Sequence, residues 1–120
     1  MSATVDLLDA NLHKVFGNRD VESRSAAIRQ VYAADVAFTD PDETVVGWDA
    51  LEAKAAGLID ATPESFVFAE EGPRYVDGNF GVLAWSFGPA GSPVARGIDL
   101  ITVVDGRISQ LRTVLVEATD

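Results

Sequence analysis

Apolar residues near the start of the chain recur at helical spacing. Val5, Leu8, Leu12, Val15 and Phe16 fall on one face of a helix. Thr4 is placed to cap its start, Asp6 suits the positive end of the first-turn dipole, and Gly17-Asn18 stops it. A second helix is predicted from about Glu22, with Ala27, Ile28, Val31 and Tyr32 as its stripe; the short connection makes the two a helical hairpin. The period then drops to two over Val36-Ala37-Phe38-Thr39-Asp40, as in a half-buried strand. Pro41 cannot donate to a ladder, so the chain turns there, and Thr44-Val45-Val46 returns as a short partner ended by Gly47. A third helix from about Asp49 puts Leu51, Ala55, Leu58 and Ile59 on one face and is closed by Pro63.

The remaining pattern is β. Phe66 to Ala69 reads as one strand. Arg74-Tyr75-Val76 and Phe80 to Phe87 flank Asp77-Gly78-Asn79, and Val94 to Val104 and Arg107 to Val116 flank Asp105-Gly106; both are hairpin signals. The segment from Pro89 to Pro93 is the turn between the two hairpins. Consecutive hairpins give antiparallel strands. Helices gathered before an antiparallel meander predict an α+β domain of three helices on a mostly antiparallel sheet, spanning 1–120 as one unit.

Composition sharpens this picture. Hydrophobic residues make up 48% of the 120 positions, enough for a real core. The formal net charge of -10 repels phosphate backbones and anionic membrane surfaces, so no nucleic-acid or membrane partner is expected. Cysteine is absent, which removes disulfides, thiolate metal sites and cysteine nucleophiles. No signal-peptide pattern or bilayer-length apolar run is present, and a cytoplasmic location is the expectation.

Two acids stand out. Asp40 shares a strand face with Val36 and Phe38, where a carboxylate is costly unless partnered, and a raised pKa would suit it to proton transfer. The alternative is that Asp40-Pro41 simply starts a turn. Asp99 lies within Ile98-Asp99-Leu100-Ile101-Thr102-Val103-Val104, the most hydrophobic run in the chain, on the face of Ile101 and Val103. It either lines a cavity or forms a structural ion pair with Arg96 or Arg112. His13 is the single histidine, so a multi-histidine metal site is impossible. Asp40, Asp42 and Glu43 match no calcium loop and read as solvated turn acids, so neither a metal nor a cofactor is expected. Phe16, Tyr32, Phe38, Trp85 and Phe87 are aromatics on predicted core faces, with the Tyr32 hydroxyl needing a partner if buried.

The stretch Tyr32-Ala33-Ala34-Asp35-Val36-Ala37-Phe38-Thr39-Asp40-Pro41, followed by Gly47 and a helix, resembles the first half of a SnoaL-like domain of the nuclear transport factor 2-like superfamily. Gly97-Ile98-Asp99 with Asp105-Gly106-Arg107-Ile108 resembles its last hairpin. The resemblance implies a strongly curved sheet forming a cone with an apolar pocket. It is similar to the ketosteroid isomerase layout, in which Asp40 matches the proton-shuttling base, Asp99 the acid that donates to an enolate oxygen, and Leu111 falls near a pocket Met. The first helix offers His13 and Phe16 where those isomerases carry a donor Tyr. Polyketide cyclases of the SnoaL type likewise use an Asp on a late strand. The resemblance thus implies a cofactor-free isomerase- or cyclase-like pocket for a hydrophobic carbonyl or enol compound. Asp40 and Asp99 would be catalytic, and His13, Phe16, Tyr32, Phe38 and Trp85 would contact the ligand. The alternative is a non-catalytic ligand-binding or dimerisation module of the same fold. Ile98, Leu100, Val114 and Val116 give the sheet apolar positions on its other face, which predicts a homodimer.

Overall fold

The computed structural model describes residues 3–116. The chain opens with α1 (Ala3–Ala10), continues through a π-helical segment (Asn11–Phe16) and turns at Gly17 into α2 (Val21–Val31). Strands β1 (Tyr32–Thr39) and β2 (Thr44–Val46) precede α3 (Trp48–Asp60). Then come β3 (Phe66–Glu70), β4 (Tyr75–Asp77), β5 (Phe80–Pro89), β6 (Ala95–Val104) and β7 (Arg107–Leu115). No helix among the described residues is long and apolar enough to cross a membrane.

Among the described residues seven strands make one open, curled sheet in the order β2-β1-β7-β6-β5-β3, with β4 on β5 beside β3. Every pairing is antiparallel except β1 with β7. The β6–β7 hairpin turns on Asp105 (φ 53°) and Gly106 (φ 77°). Two consecutive left-handed residues match the right-handed twist of the flanking strands, as the Asp-Gly pair predicted.

The helices cover one face of the sheet: α1 packs on β5 and β6, α2 on β1 and β7, and α3 on β1 and β2. Leu8, Leu12, Val15, Ile28, Leu51, Leu83, Ile101, Ile108 and Leu111 are buried there. Each such Leu or Ile contributes about 1.5–3 kcal/mol over an exposed one. This single core fixes the inner ends of the strands that carry the site.

The structure departs from the sequence reading in the first helix and at the end of the second. Thr4 lies inside α1 instead of capping it, and its hydroxyl donates to the Gly78 carbonyl at 2.9 Å. The helix widens at Asn11, where Gly17 N–H reaches back five residues to Leu12 O at 2.7 Å. Tyr32 belongs to β1 and not to the helical stripe: its N–H still closes α2 on Ile28 O, but pairing with Ile108 of β7 extends it. Strand pairing overrides a helical period at such a boundary.

Candidate functional site

A pocket of about 480 Å³ opens between α3, the π segment and the concave face of the sheet. Its walls are mostly apolar, with Leu12 and Phe16 from the π segment, Phe38 from β1, Phe68 from β3, Trp85 from β5 and Leu115 from β7. Into this lining the chain places Asp99 on one side, and Asp40 and Lys54 on another.

Asp99 is buried, 6% exposed. Strand alternation turns it inward with Ile101 and Val103, and register sets it opposite Leu83 on β5 and Thr113 on β7. The Thr113 hydroxyl donates to Oδ1 at 2.7 Å, and the Asn11 amide donates to Oδ2 at 2.8 Å. Tyr32, fully buried beneath, donates its hydroxyl to Asn11 Oδ1. Tyr32, Asn11, Asp99 and Thr113 therefore form one buried relay. Desolvation pushes the Asp99 pKa up from its ordinary value of 3.8, while donors on Thr113, Trp85 and Asn11 pull it partly back. Desolvation, followed by the nearby Asp99 charge, raises Tyr32 well above 10.0, so the phenol stays protonated. Among the described residues no ion pair reaches Asp99: Arg96 pairs with Glu71 at 2.9 Å.

Asp40 follows the last residue of β1, and its Oδ1 accepts from the backbone N–H groups of Asp42 and Glu43 at 2.9 and 3.0 Å. The turn-forming geometry and the pocket-lining position thus coexist in one side chain. Its Oδ2 lies 2.7 Å from Lys54 Nζ, which also reaches Glu43 at 2.9 Å. Partial burial raises the Asp40 pKa, but Lys54 and the two backbone donors outweigh it and hold the carboxyl below 3.8. The two pocket acids are thus shifted in opposite directions. Lys54 is raised by the same pairing with Asp40 and Glu43. The cation beside Asp40 and Glu43 is therefore a side chain. Among the described residues no three His, Cys, Asp or Glu side chains gather as a metal site.

Of the aromatics expected at the ligand, Phe16, Phe38 and Trp85 line the pocket. His13 and Tyr32 do not. His13 sits on the exposed side of the π segment, 2.6 Å from Glu70, beside a separate cleft. Tyr32 is sealed in the core and reaches the pocket only through Asn11. Leu111 is core, and Thr113 and Leu115 are the β7 residues in the pocket wall. Sequence reasoning passed over Asn11, Lys54 and Thr113. Asn11 had a readable signal, a polar residue three after Leu8 and four before Val15 on an apolar stripe.

The comparisons agree with this architecture. No curated protein sequence matches the chain. A candidate isomerase of the SnoaL-like family from Agrobacterium tumefaciens superposes with a TM-score of 0.87 at 24% identity, covering 98% of this chain and 100% of that one. A candidate SnoaL-like polyketide cyclase from Jannaschia sp. CCS1 gives 0.78 at 16% identity, covering 94% and 85%. A candidate ketosteroid isomerase from Kribbella flavida gives 0.76 at 18% identity, covering 98% and 81%. At these identities the likeness establishes the fold. The SnoaL-like domain profile matches residues 10–111, and the chain belongs to that family.

Proposed function

We propose that the protein is a cofactor-free proton-transfer enzyme, isomerase- or cyclase-like, acting on a hydrophobic carbonyl compound. The observation that carries this reading is a single apolar pocket lined by two carboxylates whose pKa values are pushed apart. Asp40, ionised, takes the proton from the carbon next to the carbonyl. The C–H electron pair becomes the enolate C=C, and the carbonyl π pair moves onto oxygen. Asp99, in the protonated form that burial favours, donates its proton in a hydrogen bond to that oxygen. Asp40 then returns its proton to another carbon, or the enolate carbon attacks a second carbonyl, whose π pair moves onto its oxygen and takes the proton back from Asp40. The structural neighbours described as candidate isomerases and cyclases support the same class of chemistry.

Thermal shift against a panel of hydrophobic ketones and phenols tests the pocket. Ligands should raise Tm, since binding only the native state stabilises it, and Asp99→Leu should remove most of the shift. A panel with no effect on Tm would contradict the proposal. One observation favours a second reading, a ligand-binding module without turnover: Lys54 and two backbone N–H groups already occupy Asp40. Binding without proton exchange would select it.

We further propose that the protein forms a homodimer through the outer face of the sheet. Val82 and Leu100, Ala84 and Ile98, and Ile98 and Val114 are cross-strand partners facing away from the helices, so the apolar positions are contiguous.

A further inference from the structure

Trp85 carries a buried polar atom that makes no hydrogen bond of ordinary geometry among the described residues. The side chain is 6% exposed and lines the pocket, yet its indole N–H has no hydrogen-bond partner among the described residues. Leaving such a donor unmade costs about 1–3 kcal/mol, so a native site holding one calls for an explanation. The other tryptophan behaves conventionally, with Trp48 Nε1 donating to Tyr32 O at 2.9 Å.

The Trp85 ring is held by a built arrangement. Phe68 packs edge-on against it, with centroids 5.3 Å apart and planes at 82°. On the neighbouring strand, Gly97 lies opposite Trp85 in register. A Cβ at Gly97 would stand 2.8 Å from Trp85 Cζ2, so only glycine lets the ring lie against β6. Cζ2 sits next to the ring carbon that bears Nε1, and Asp99 is two residues along β6 from Gly97. The ring edge that carries the indole N–H therefore lies against β6 beside the strand position of Asp99. The partners of Asp99 are nearly all fixed donors: the Asn11 amide is oriented by Tyr32, and only the Thr113 hydroxyl can turn round to accept. In its protonated form Asp99 would be a donor beside the Trp85 N–H, and the pair would lack an acceptor.

We propose that Trp85 Nε1–H and Asp99 together form a two-donor site for one ligand oxygen, a carbonyl that gains enolate or phenolate character. This rests on the enolising pocket proposed above. It assigns to β5 the second donor that the first helix, with His13 turned outward, does not supply. A ligand oxygen accepting from both would complete the unmet indole donor and stabilise developing negative charge in a water-poor pocket.

The test uses 2-naphthol, a hydrophobic phenol, as the probe. Indole ¹H–¹⁵N resonances of Trp85 and Trp48 are followed during titration, assigned through Trp85→Phe or, if that variant does not fold, Trp48→Phe. The Trp85 indole proton should move downfield while that of Trp48 stays in place. Trp85→Phe should weaken 2-naphthol about tenfold, the worth of one hydrogen bond to a charged acceptor. Tighter burial alone would not move the indole proton downfield, which separates donation from packing. If 2-naphthol binds, as read from its fluorescence, but leaves the Trp85 resonance unmoved, the two-donor inference is overturned and the pocket reading survives. If 2-naphthol does not bind the unaltered protein, both fall.

Discussion

Asp40 and Asp99 divide the work of the site by environment. Asp40→Asn removes the base while preserving shape, and should cut turnover by at least about 10²-fold with ligand affinity nearly unchanged. Steady-state kinetics beside calorimetric titration checks that split. The pH dependence follows from the two shifts. Asp40 is held below 3.8, so its contribution to stability is present above 3.8 and lost as pH falls through its lower folded value. Asp99 is raised above 3.8, so its contribution is present below 3.8 and lost as pH rises through its folded value. Activity should therefore have an acid limb from Asp40 and an alkaline limb from Asp99. Lys54→Met deletes the group most responsible for lowering Asp40 and should move the acid limb to higher pH; an unmoved limb would separate Asp40 from it. Both acids were legible in the sequence, one from its strand face and one from its apolar run. Lys54 was not, because only the fold brings α3 against the β1–β2 turn.

The π segment is the element that makes the site differ from a plain helix over a sheet. Its widened turn carries Asn11 into the core, where it joins Tyr32 to Asp99, and leaves His13 outside. A helical wheel at 3.6 residues per turn cannot show such a widening, and His13 was expected at the ligand only from the family resemblance. Tyr32 was read as helix for a related reason: its helical spacing from Ile28 is real, but its pairing with Ile108 is set by a strand some 80 residues away. Tyr32→Phe strips Asn11 Oδ1 of its donor and should cost about 1–3 kcal/mol in urea unfolding. Gly97→Ala should cost about 1–3 kcal/mol, because the added methyl meets Val114 O at 2.7 Å and the Trp85 ring at 2.8 Å.

At the scale of the molecule, the order of three helices before an antiparallel meander was readable from periodicity and turn residues alone. The parallel β1–β7 contact was not, since local pattern does not say which distant strand closes a sheet. The outer face predicts assembly. Sedimentation equilibrium at micromolar concentration should return twice the chain mass, and Leu100→Glu should return a monomer; a monomeric unaltered protein would remove the dimer proposal. The central claim, that the pocket moves a proton next to a carbonyl, has a more direct test. In D₂O, NMR of a hydrophobic ketone that raises Tm should show deuterium entering the carbon beside its carbonyl with the protein present, and exchange at the uncatalysed rate with Asp40→Asn. A bound ketone that exchanges no faster with the unaltered protein than without it would contradict the account.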